Sequence, residues 1–452
     1  MLSRVYLAFS VFVLAACAWA TQGEIPYQVH QLANGLRIVV VENKRAPVVL
    51  HKVYFGVGGL DDPRGKSGLA HFLEHMMFKG APDTPPQVLS DLIHRVGGVM
   101  NATTTPETTD YYAVVHKQYL AEVMAIEAQR LKTMYFEDKE VAAEIQVVLE
   151  ERRMRVDNEP TSTLLEAMRA ASTWHHSSRL PTIGWEHEIK SYTPEDVRAF
   201  HTAWYAPNNA VLLLAGDITF EQARELAERY YGPLPPRTVA ARNHLIEPLP
   251  ANISQRLDKV TPNIATPLLI QFYRAPSWVD GFTHQRYKEV IALQLMISCL
   301  AKGRSTPLWK KLVEEQKIAT HVGLTYLGGL APGVIAVVAK PSSQHSLESL
   351  EKALNKELKN LVNQGITAAQ FEQAKNRGLV DRSYTHDNLL AAADHLVQSH
   401  MVGIPLEVAN TWPETFKAIN LQEVNSLMRT VFASAPYVVG ALHPESQGKD
   451  RP

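Results

Sequence analysis

The feature that most constrains the fold of this chain is the run His-Phe-Leu-Glu-His at residues 71–75. On an α-helix, positions i, i+3 and i+4 lie on one face, so His71, Glu74 and His75 would project together from a single turn. Two histidines with this spacing can bind one Zn²⁺, and Glu74 would then be placed to take a proton from a zinc-bound water. A zinc site of this kind would require a helix here and a further ligand brought to it from elsewhere in the chain.

The flanking sequence favours that helix. Gly65, Ser67 and Gly68 supply a turn and a candidate N-cap before the motif, and Gly80-Ala81-Pro82 would end the helix soon after it. The apolar positions between them offer a face to bury: Leu69, Phe72, Leu73, Met76 and Met77. The alternative is an ordinary core or solvated helix, which the motif alone does not exclude.

A catalytic zinc site usually has three protein ligands. A long predicted helix further along the chain carries four candidate carboxylates: Glu140, Glu144, Glu150 and Glu151. Glu144 and Glu151 are seven residues apart and share a helical face with Val147 and Val148, so we expect that face to be packed. Glu150 lies about 100° away. We therefore expect Glu151 to bind the metal and Glu144 to orient a histidine or assist the general base; the alternative is four ordinary surface carboxylates.

Length and charge limit the class of protein. At 452 residues the chain is too long for one ordinary domain, and 46% hydrophobic with 20% charged residues is typical of a soluble globular protein. The formal net charge of −1 gives no reason to expect nucleic acid or an anionic surface as a partner.

The order of predicted strands and helices in the first half recurs in the second half. Closing strands at residues 211–217 and 436–442, for example, occupy matching places. We predict an α+β fold of two homologous α/β-sandwich domains, each a mixed or antiparallel sheet flanked by helices, over residues 21–232 and 255–445. A Pro-rich linker at 233–254 would join them, and 446–452 would be a tail. Two unrelated mixed domains are the alternative.

Residues 1–20 predict a signal peptide. An apolar run from Val5 to Ala16 follows a short basic start, and Ala18-Trp19-Ala20 fits a small-x-small cleavage site. Leu14-Ala15-Ala16-Cys17 also resembles a bacterial lipobox, which would make Cys17 a lipidated first residue. Either alternative predicts export, most simply to a bacterial periplasm, with membrane attachment only through Cys17.

The spacing of the candidate ligands resembles that of the pitrilysin/insulinase zinc peptidases. His71-x-x-Glu74-His75 has the inverzincin order, and Glu151 follows after 75 residues with Glu144 seven before it. The resemblance is closest to the short processing-peptidase-like subgroup and covers nearly everything after the signal peptide. It includes several shorter motifs: Phe78-Lys79-Gly80, Asn101-Ala102-Thr103, Tyr111-Tyr112, Gly184-Trp185 and Tyr205-Ala206-Pro207-Asn208-Asn209.

This resemblance implies one Zn²⁺ per chain, held by His71, His75 and Glu151, with Glu74 as general base. It also implies that two such chains, or two chain halves, close as a clamshell over an internal chamber, so that this chain forms half of the clamshell. The expected activity is that of a zinc-dependent metalloendopeptidase acting on peptides or unfolded segments in that chamber. The rival is a non-catalytic exported zinc-binding, peptide-binding or assembly subunit with the same fold.

In this family an edge strand near the metal holds the substrate in extended form. The matching strand here is residues 99–104, with Asn101 and Ala102 nearest the scissile bond. An exposed edge offers unpaired N–H and C=O groups to a peptide with little demand on its sequence.

One departure from the family pattern lies in the second half. Active members carry an Arg and a Tyr seven residues apart that reach the substrate near the zinc; the matching positions here are Val313 and Thr320. Neither offers a charged or phenolic hydrogen bond to a developing oxyanion. We therefore expect the zinc-bearing subunit of a heterodimer, with a zinc-less paralogue supplying the Arg/Tyr pair, and a homodimer as the alternative.

Overall fold

The computed structural model of the chain describes residues 24–79, 85, 87–132, 137–242, 247–248, 253–278, 281–434 and 436–445, with the helical backbone alone for 384–387. The predicted signal peptide, the lipobox at Cys17, the helix stop at Gly80-Ala81-Pro82 and the tail at 446–452 lie outside the described residues.

Six strands form the first sheet: β1 (Gln28–Gln31), β2 (Arg37–Glu42), β3 (Val48–Phe55), β4 (Val99–Thr104), β5 (Thr109–His116) and β6 (Ala210–Gly216). Their spatial order is β1-β2-β6-β3-β5-β4. The inner strand β6 is buried along its whole length, which explains its continuous apolar sequence. The strand β4 lies at the open edge of the sheet.

Five strands form the second sheet: β7 (Gln255–Thr261), β8 (Leu268–Ala275), β9 (Ala319–Leu327), β10 (Gly333–Pro341) and β11 (Val438–Pro444). Their spatial order is β7-β11-β8-β10-β9. Apart from β1, this order repeats that of the first sheet strand for strand. In the first sheet, β6 lies between β2 and β3, parallel to β2 and antiparallel to β3. In the second sheet, β11 lies between β7 and β8 in the same way, parallel to β7 and antiparallel to β8. The predicted α+β fold with two copies of one sheet topology is confirmed.

Within the described residues, the first half contains eight α-helices. They are α1 (Leu69–Met76), α2 (Val88–Arg95), α3 (Leu120–Lys132), α4 (Asp138–Arg152), α5 (Pro160–Ser172), α6 (Glu186–Ile189), α7 (Pro194–Trp204) and α8 (Phe220–Tyr230). A π-helical turn, Arg153–Asp157, continues α4.

The helices of the second half are α9 (His284–Ala301), α10 (Pro307–Trp309), α11 (Leu347–Gln364), α12 (Ala368–Asp387), α13 (Leu389–Met401), α14 (Leu406–Asn410), α15 (Trp412–Ala418) and α16 (Leu421–Phe432). A π-helical segment, Lys310–Glu315, follows α10. No helix within the described ranges is long and apolar enough to cross a membrane.

The two halves exchange helices across their sheets. One face of the first sheet packs against α1, α3, α7 and α8, and the other face packs against α13 from the second half. In return, Leu164 and Met168 of α5 pack against β8 and β11. Full burial of one such apolar side chain contributes about 1.5–3 kcal/mol, so the exchange ties the halves together through their cores.

Several elements were not expected from the sequence. The strand β7 alternates exposed and half-buried residues and carries charges, so it lacks an apolar run. Helix α5 and the helices α13 to α16 were also missed. Glycine often marks the end of a helix, but α12 continues through Gly378 to Asp387. A side chain at Gly378 would begin 2.5 Å from the ring of Phe416, so this glycine permits close packing and does not end the helix.

Candidate active site

Helix α1 carries the motif, and polar side chains from other elements bind both of its ends. Gly68 is the N-cap, with φ at +87°, and the buried carboxylate of Asp62 accepts hydrogen bonds from the backbone N–H of Gly68 (2.7 Å) and Ala70 (2.8 Å). Beyond the other end, the buried guanidinium of Arg130 donates to the carbonyl of Met77 (2.9 Å). Asp62 thus accepts hydrogen bonds from N–H groups at the start of the helix that lack partners within it, and the cation of Arg130 lies at the C-terminal end, where positive charge interacts favourably with the helix dipole. Such support matters because a helix of eight residues is unstable alone.

The apolar face of α1 is buried as expected. Its members are Leu69, Phe72, Leu73, Met76 and, just past the helix, Met77. The motif residues lie on another side of the helix, which contacts α4 and β4. His71 is 9% exposed, and Glu74 and His75 are half-buried.

Helix α4 presents Glu144 and Glu151 to α1. The expected packing of Val148 is correct, but Val147 is 49% exposed and the prediction for it is wrong. The buried residues of α4 form a stripe that is rotated around the helix axis relative to the predicted face. They are Val141, Glu144, Ile145, Val148 and Arg152.

The two other candidate glutamates lie elsewhere. Glu140 accepts a hydrogen bond from the backbone N–H of Glu137 (3.1 Å) and so belongs to the capping box of α4. Glu150 is exposed and pairs with Arg153.

Three side chains from α1 and α4 converge. Oε2 of Glu151 lies 3.2 Å from Nε2 of His75 and 3.6 Å from Nε2 of His71. One ligand atom from each of the three residues lies within 4.8 Å of the others. Arg155, on the π-helical turn, holds the other oxygen of Glu151 at 2.7 Å. Glu151 therefore presents one oxygen to the histidine pair.

Glu144 reaches the same cluster from one side. Its Oε1 lies 2.8 Å from Nδ1 of His75, and its Oε2 pairs with Nζ of Lys79. This contact uses the ring nitrogen of His75 that faces away from Glu151, and so fixes the orientation of the imidazole.

The carboxylates strongly affect the charge of His75. Burial lowers its pKa, but the hydrogen bonds with Glu144 and Glu151 outweigh burial and raise the pKa to about 9. For His71, burial and then the neighbouring His75 lower the pKa to about 4. The hydrogen bond with His75 is the main cause that lowers the pKa of Glu151. The cluster thus combines a neutral imidazole, an imidazole held between two carboxylates, and an ionised carboxylate.

This donor set fits Zn²⁺. Two imidazoles and one carboxylate are a ligand combination found in catalytic zinc sites, which keep a further position open. Oε2 of Glu151 is buried and faces Nε2 of His75 and Nε2 of His71, at 3.2 and 3.6 Å, so this oxygen could share a metal with both histidines. Within the part of the chain that the structure describes, His71, His75 and Glu151 are the one group of this kind.

The side chain of Glu74 extends from α1 towards the edge strand β4. The hydroxyl of Thr104, at the end of β4, donates a hydrogen bond to its Oε2. Burial raises the pKa of Glu74 above its ordinary value, although the Thr104 hydrogen bond opposes that shift. A raised pKa suits a carboxylate that must both accept and release a proton.

The strand that contains Asn101 and Ala102 is the edge strand β4, as expected. Asn101 is exposed, whereas the side chain of Ala102 is buried in the core. The side-chain oxygen of Asn101 accepts a hydrogen bond from the backbone N–H of Ala102 (2.9 Å). At Ala102, therefore, only the backbone is available at the edge.

The two departing positions lie in the second half. Val313 is half-buried in the π-helical segment and packs against the apolar core that contains α9 and α11. Thr320 lies in β9, the edge strand of the second sheet, and is exposed.

Several residues of the site were not singled out from the sequence: Asp62, Lys79, Thr104, Arg130 and Arg155. Lys79 follows His75 by four residues, so helical spacing could have indicated it. Asp62, Arg130 and Thr104 reach the site from separate elements, and no local pattern indicates such contacts.

Two family models match consecutive parts of the chain. Residues 37–184 match the model described as Insulinase (Peptidase family M16), and residues 191–377 match the model described as Peptidase M16 inactive domain. A relative named zinc protease PqqE, from Helicobacter pylori, is 27% identical over 381 residues, which cover 82% of this chain and 84% of the relative.

Solved structures share the fold. The crystal structure of a protease from Helicobacter pylori matches with a TM-score of 0.84 and 24% identity over 93% of this chain and 100% of that chain. The periplasmic protease PqqL from Escherichia coli matches with a TM-score of 0.77 and 21% identity over 93% of this chain but 48% of that chain. The present fold therefore corresponds to about half of the longer protein.

Proposed function

This chain belongs to the pitrilysin/insulinase (M16) family of peptidases, and we propose that it is a zinc-dependent metalloendopeptidase acting on peptides or unfolded segments. The observation that carries the proposal is the convergence of His71, His75 and Glu151 beside Glu74. The relative from Helicobacter pylori is itself named a zinc protease.

His71, His75 and Glu151 would hold the zinc. When bound, zinc lowers the pKa of a coordinated water and polarises the scissile carbonyl. Glu74 takes a proton from the attacking water and passes it to the leaving amine. Glu144 would position His75 through the 2.8 Å contact with Nδ1, or assist Glu74.

The substrate would bind along β4 as an added strand. The backbone of this strand faces solvent at the sheet edge, and the site of Glu74 lies at its end, at Thr104. In the free chain, the side-chain oxygen of Asn101 accepts a hydrogen bond from the N–H of Ala102. A peptide that pairs with this N–H would displace the Asn101 side chain. Asn101 is then free to contact the substrate.

A second subunit would complete the site. Val313 and Thr320 stand where active family members have Arg and Tyr, and the chain matches about half of PqqL. A zinc-less paralogue that carries the Arg/Tyr pair would close the chamber and stabilise the developing oxyanion; a homodimer would close the chamber without that pair. Export to a periplasm, with Cys17 as an alternative lipid anchor, is proposed from the signal-like N-terminus.

The test is a peptidase assay on the mature chain, alone and with the zinc-less paralogue, using unfolded casein and a quenched peptide library. We expect weak or no turnover alone and strong turnover in the mixture. Glu74→Gln should keep zinc and lower the rate by about 10²–10⁴-fold, whereas the exposed Glu150→Gln should not change it.

Three results would revise the proposal. A fully active Glu74→Gln would remove the assigned general base. Strong activity of the chain alone would remove the need for the partner. Bound zinc with no hydrolysis, even in the mixture, would favour the non-catalytic subunit that the Val313 and Thr320 departures also allow.

A further inference from the structure

A buried arginine directly follows the third candidate zinc ligand. Arg152 is 6% exposed and points away from the zinc cluster, about 100° around α4 from Glu151. We propose that Arg152 is a positioning residue that sets the separation between Glu151 on α4 and the two histidines on α1. This inference rests on the proposed zinc site but not on turnover.

The guanidinium of Arg152 makes a forked contact with α5. Its Nη1 donates to Oε2 of Glu166 (2.9 Å) and its Nη2 donates to Oε1 (2.8 Å). Asp157, on the π-helical turn, lies 3.2 Å from Nη2. The side chain of Glu166 is 13% exposed, so this pair is largely removed from water. A planar fork that meets a carboxylate in this way fixes orientation as well as distance.

The same guanidinium reaches the segment that holds the start of α1. Nη1 of Arg152 also donates to the carbonyl of Gly184 (2.7 Å), and the guanidinium lies 5.6 Å from the ring centroid of Trp185. The backbone N–H of Trp185 in turn donates to Oγ of Ser67 (3.0 Å). Arg152 is therefore linked through one short segment to the residue before the N-cap of α1.

The contact between that segment and α1 leaves no room for adjustment. A Cβ built on Gly68, the N-cap of α1, would lie 2.6 Å from Cα of Gly184. A Cβ built on Gly184 would lie 2.3 Å from the carbonyl oxygen of Ser67. Backbone therefore touches backbone at this point, so a shift of Gly184 would also move Gly68, the N-cap of α1, three residues before His71.

Arg152 also connects the zinc helices to the second half. Glu166 lies on one face of α5, and Leu164 and Met168, on the opposite face of that helix, pack on the second sheet. Met168 lies close to the backbone of β11, where a Cβ on Gly440 would be 2.3 Å from its sulfur. Through Arg152 and Glu166, the distance between the two ligand helices thus depends on how α5 packs against the second sheet.

Lysine could not replace this arginine. An ammonium group is a point charge, and it cannot meet both oxygens of Glu166 and the Gly184 carbonyl in fixed directions. Arg153 provides a matched control, because it is exposed and its contact is with Glu150 on the same helix surface.

The experiment compares Arg152→Lys and Glu166→Gln with Arg153→Lys. Zinc affinity is measured by chelator competition without substrate, and the site geometry by the visible absorption of the Co²⁺-substituted protein. Because outer contacts of a metal site typically change affinity by about 10–100-fold, we expect at least about a tenfold loss for the first two variants, with a shifted cobalt spectrum. Arg153→Lys should match the wild type in both. With the partner present, kcat should fall more than KM rises.

The proposal would be overturned if Arg152→Lys and Glu166→Gln both kept the zinc affinity and the cobalt spectrum of the wild type. A lower Tm in these variants would not rescue it, because a purely structural role lowers Tm alone. If Arg152→Lys does not fold, Glu166→Gln decides the question, since it keeps the arginine and removes the charge of its partner. Failure of the wild type to hydrolyse any peptide would count against the proposed function and leave this result standing.

Discussion

The two halves share one strand order but use it differently. In the first half, the helix that follows β3 is the short α1, which carries His71, Glu74 and His75. In the second half, the helix that follows β8 is the 18-residue α9, which buries residues such as Leu293 and Cys299 instead. The repeated sheet therefore supports either a polar site or an apolar core at the same place, and the side chains on one helix decide which.

Buried ionisable side chains make the same distinction. Among the described residues, every buried Asp, Glu, Lys, Arg and His lies in the first half: His51, Lys52, Asp62, His71, Asp110, Glu127, Arg130, Glu144, Arg152, His176 and His201. Burial of charge costs free energy unless each group has a partner. Burial of these groups therefore costs free energy of folding in the first half, and the second half has the same topology without that cost. The proposed site, which would bind a metal and activate water, offers a physical reason for part of that cost.

The largest effect on stability is expected at Arg130. Its guanidinium pairs with the buried Glu127 (2.7 Å) and also holds the end of α1. Arg130→Met leaves Glu127 without its charged partner, which should lower the free energy of unfolding by about 4 kcal/mol. The double variant Arg130→Met/Glu127→Leu should recover most of that loss, because no buried charge is left unpaired. Urea unfolding of both variants measures this, and a loss of less than about 1 kcal/mol in the single variant would show that buried charge does not distinguish the halves.

A cavity in the second half should destabilise without affecting metal. Leu293 is fully buried in α9, so Leu293→Ala should cost about 3 kcal/mol through lost apolar burial and the cavity left behind. Zinc content should remain that of the wild type. Loss of zinc in this variant would mean that the two halves are not separable in function.

Acid should weaken the first half through His51. This imidazole is buried, contacts the hydroxyl of Tyr231 (2.7 Å) and has Arg130 nearby. Burial is the main cause that lowers its pKa from 6.5 to about 3. The unfolded chain takes up a proton below pH 6.5 while the folded chain does not, so stability is full above pH 6.5 and falls as the pH drops.

At pH 5 the corresponding loss is about 2 kcal/mol relative to pH 7.5. His51→Gln removes the titrating group, so the free energy of unfolding of this variant should change less between the two pH values than that of the wild type, by about this amount. Equal pH dependence in urea unfolding would contradict the assignment of a neutral buried His51.

Much of the fold could be predicted from local pattern. The Asn34-Gly35 hairpin, the apolar strand β6 and the periodic helices all follow from residues close in sequence. The exchange of α5 and α13 between the sheets could not be predicted, because what covers each sheet is decided by contacts between residues far apart in the chain. The extension of α12 past Gly378 could not be predicted for the same reason. The glycine is needed for close packing against Phe416 on α15, which is far from it in sequence.

The candidate site divides in a similar way. The helical spacing of His71, Glu74 and His75 could be recognised locally, and the seven-residue spacing of Glu144 and Glu151 indicated their common side of α4. The supporting contacts from Asp62, Thr104 and Arg130 could not be recognised, because each comes from another element and lacks a motif of its own. The misplacement of Val147 shows that a helical face read from sequence can be rotated by about one residue, about 100°.

The most direct test of the central claim is the zinc content of the purified chain, measured by mass spectrometry of the metal for the wild type, Glu151→Gln and Glu150→Gln. The two glutamates are neighbours on α4, but Glu151 faces the histidines and Glu150 faces solvent. We predict about one zinc per chain in the wild type and in Glu150→Gln, and loss of zinc in Glu151→Gln. Absence of zinc from the wild type, or full retention in Glu151→Gln, would contradict the account.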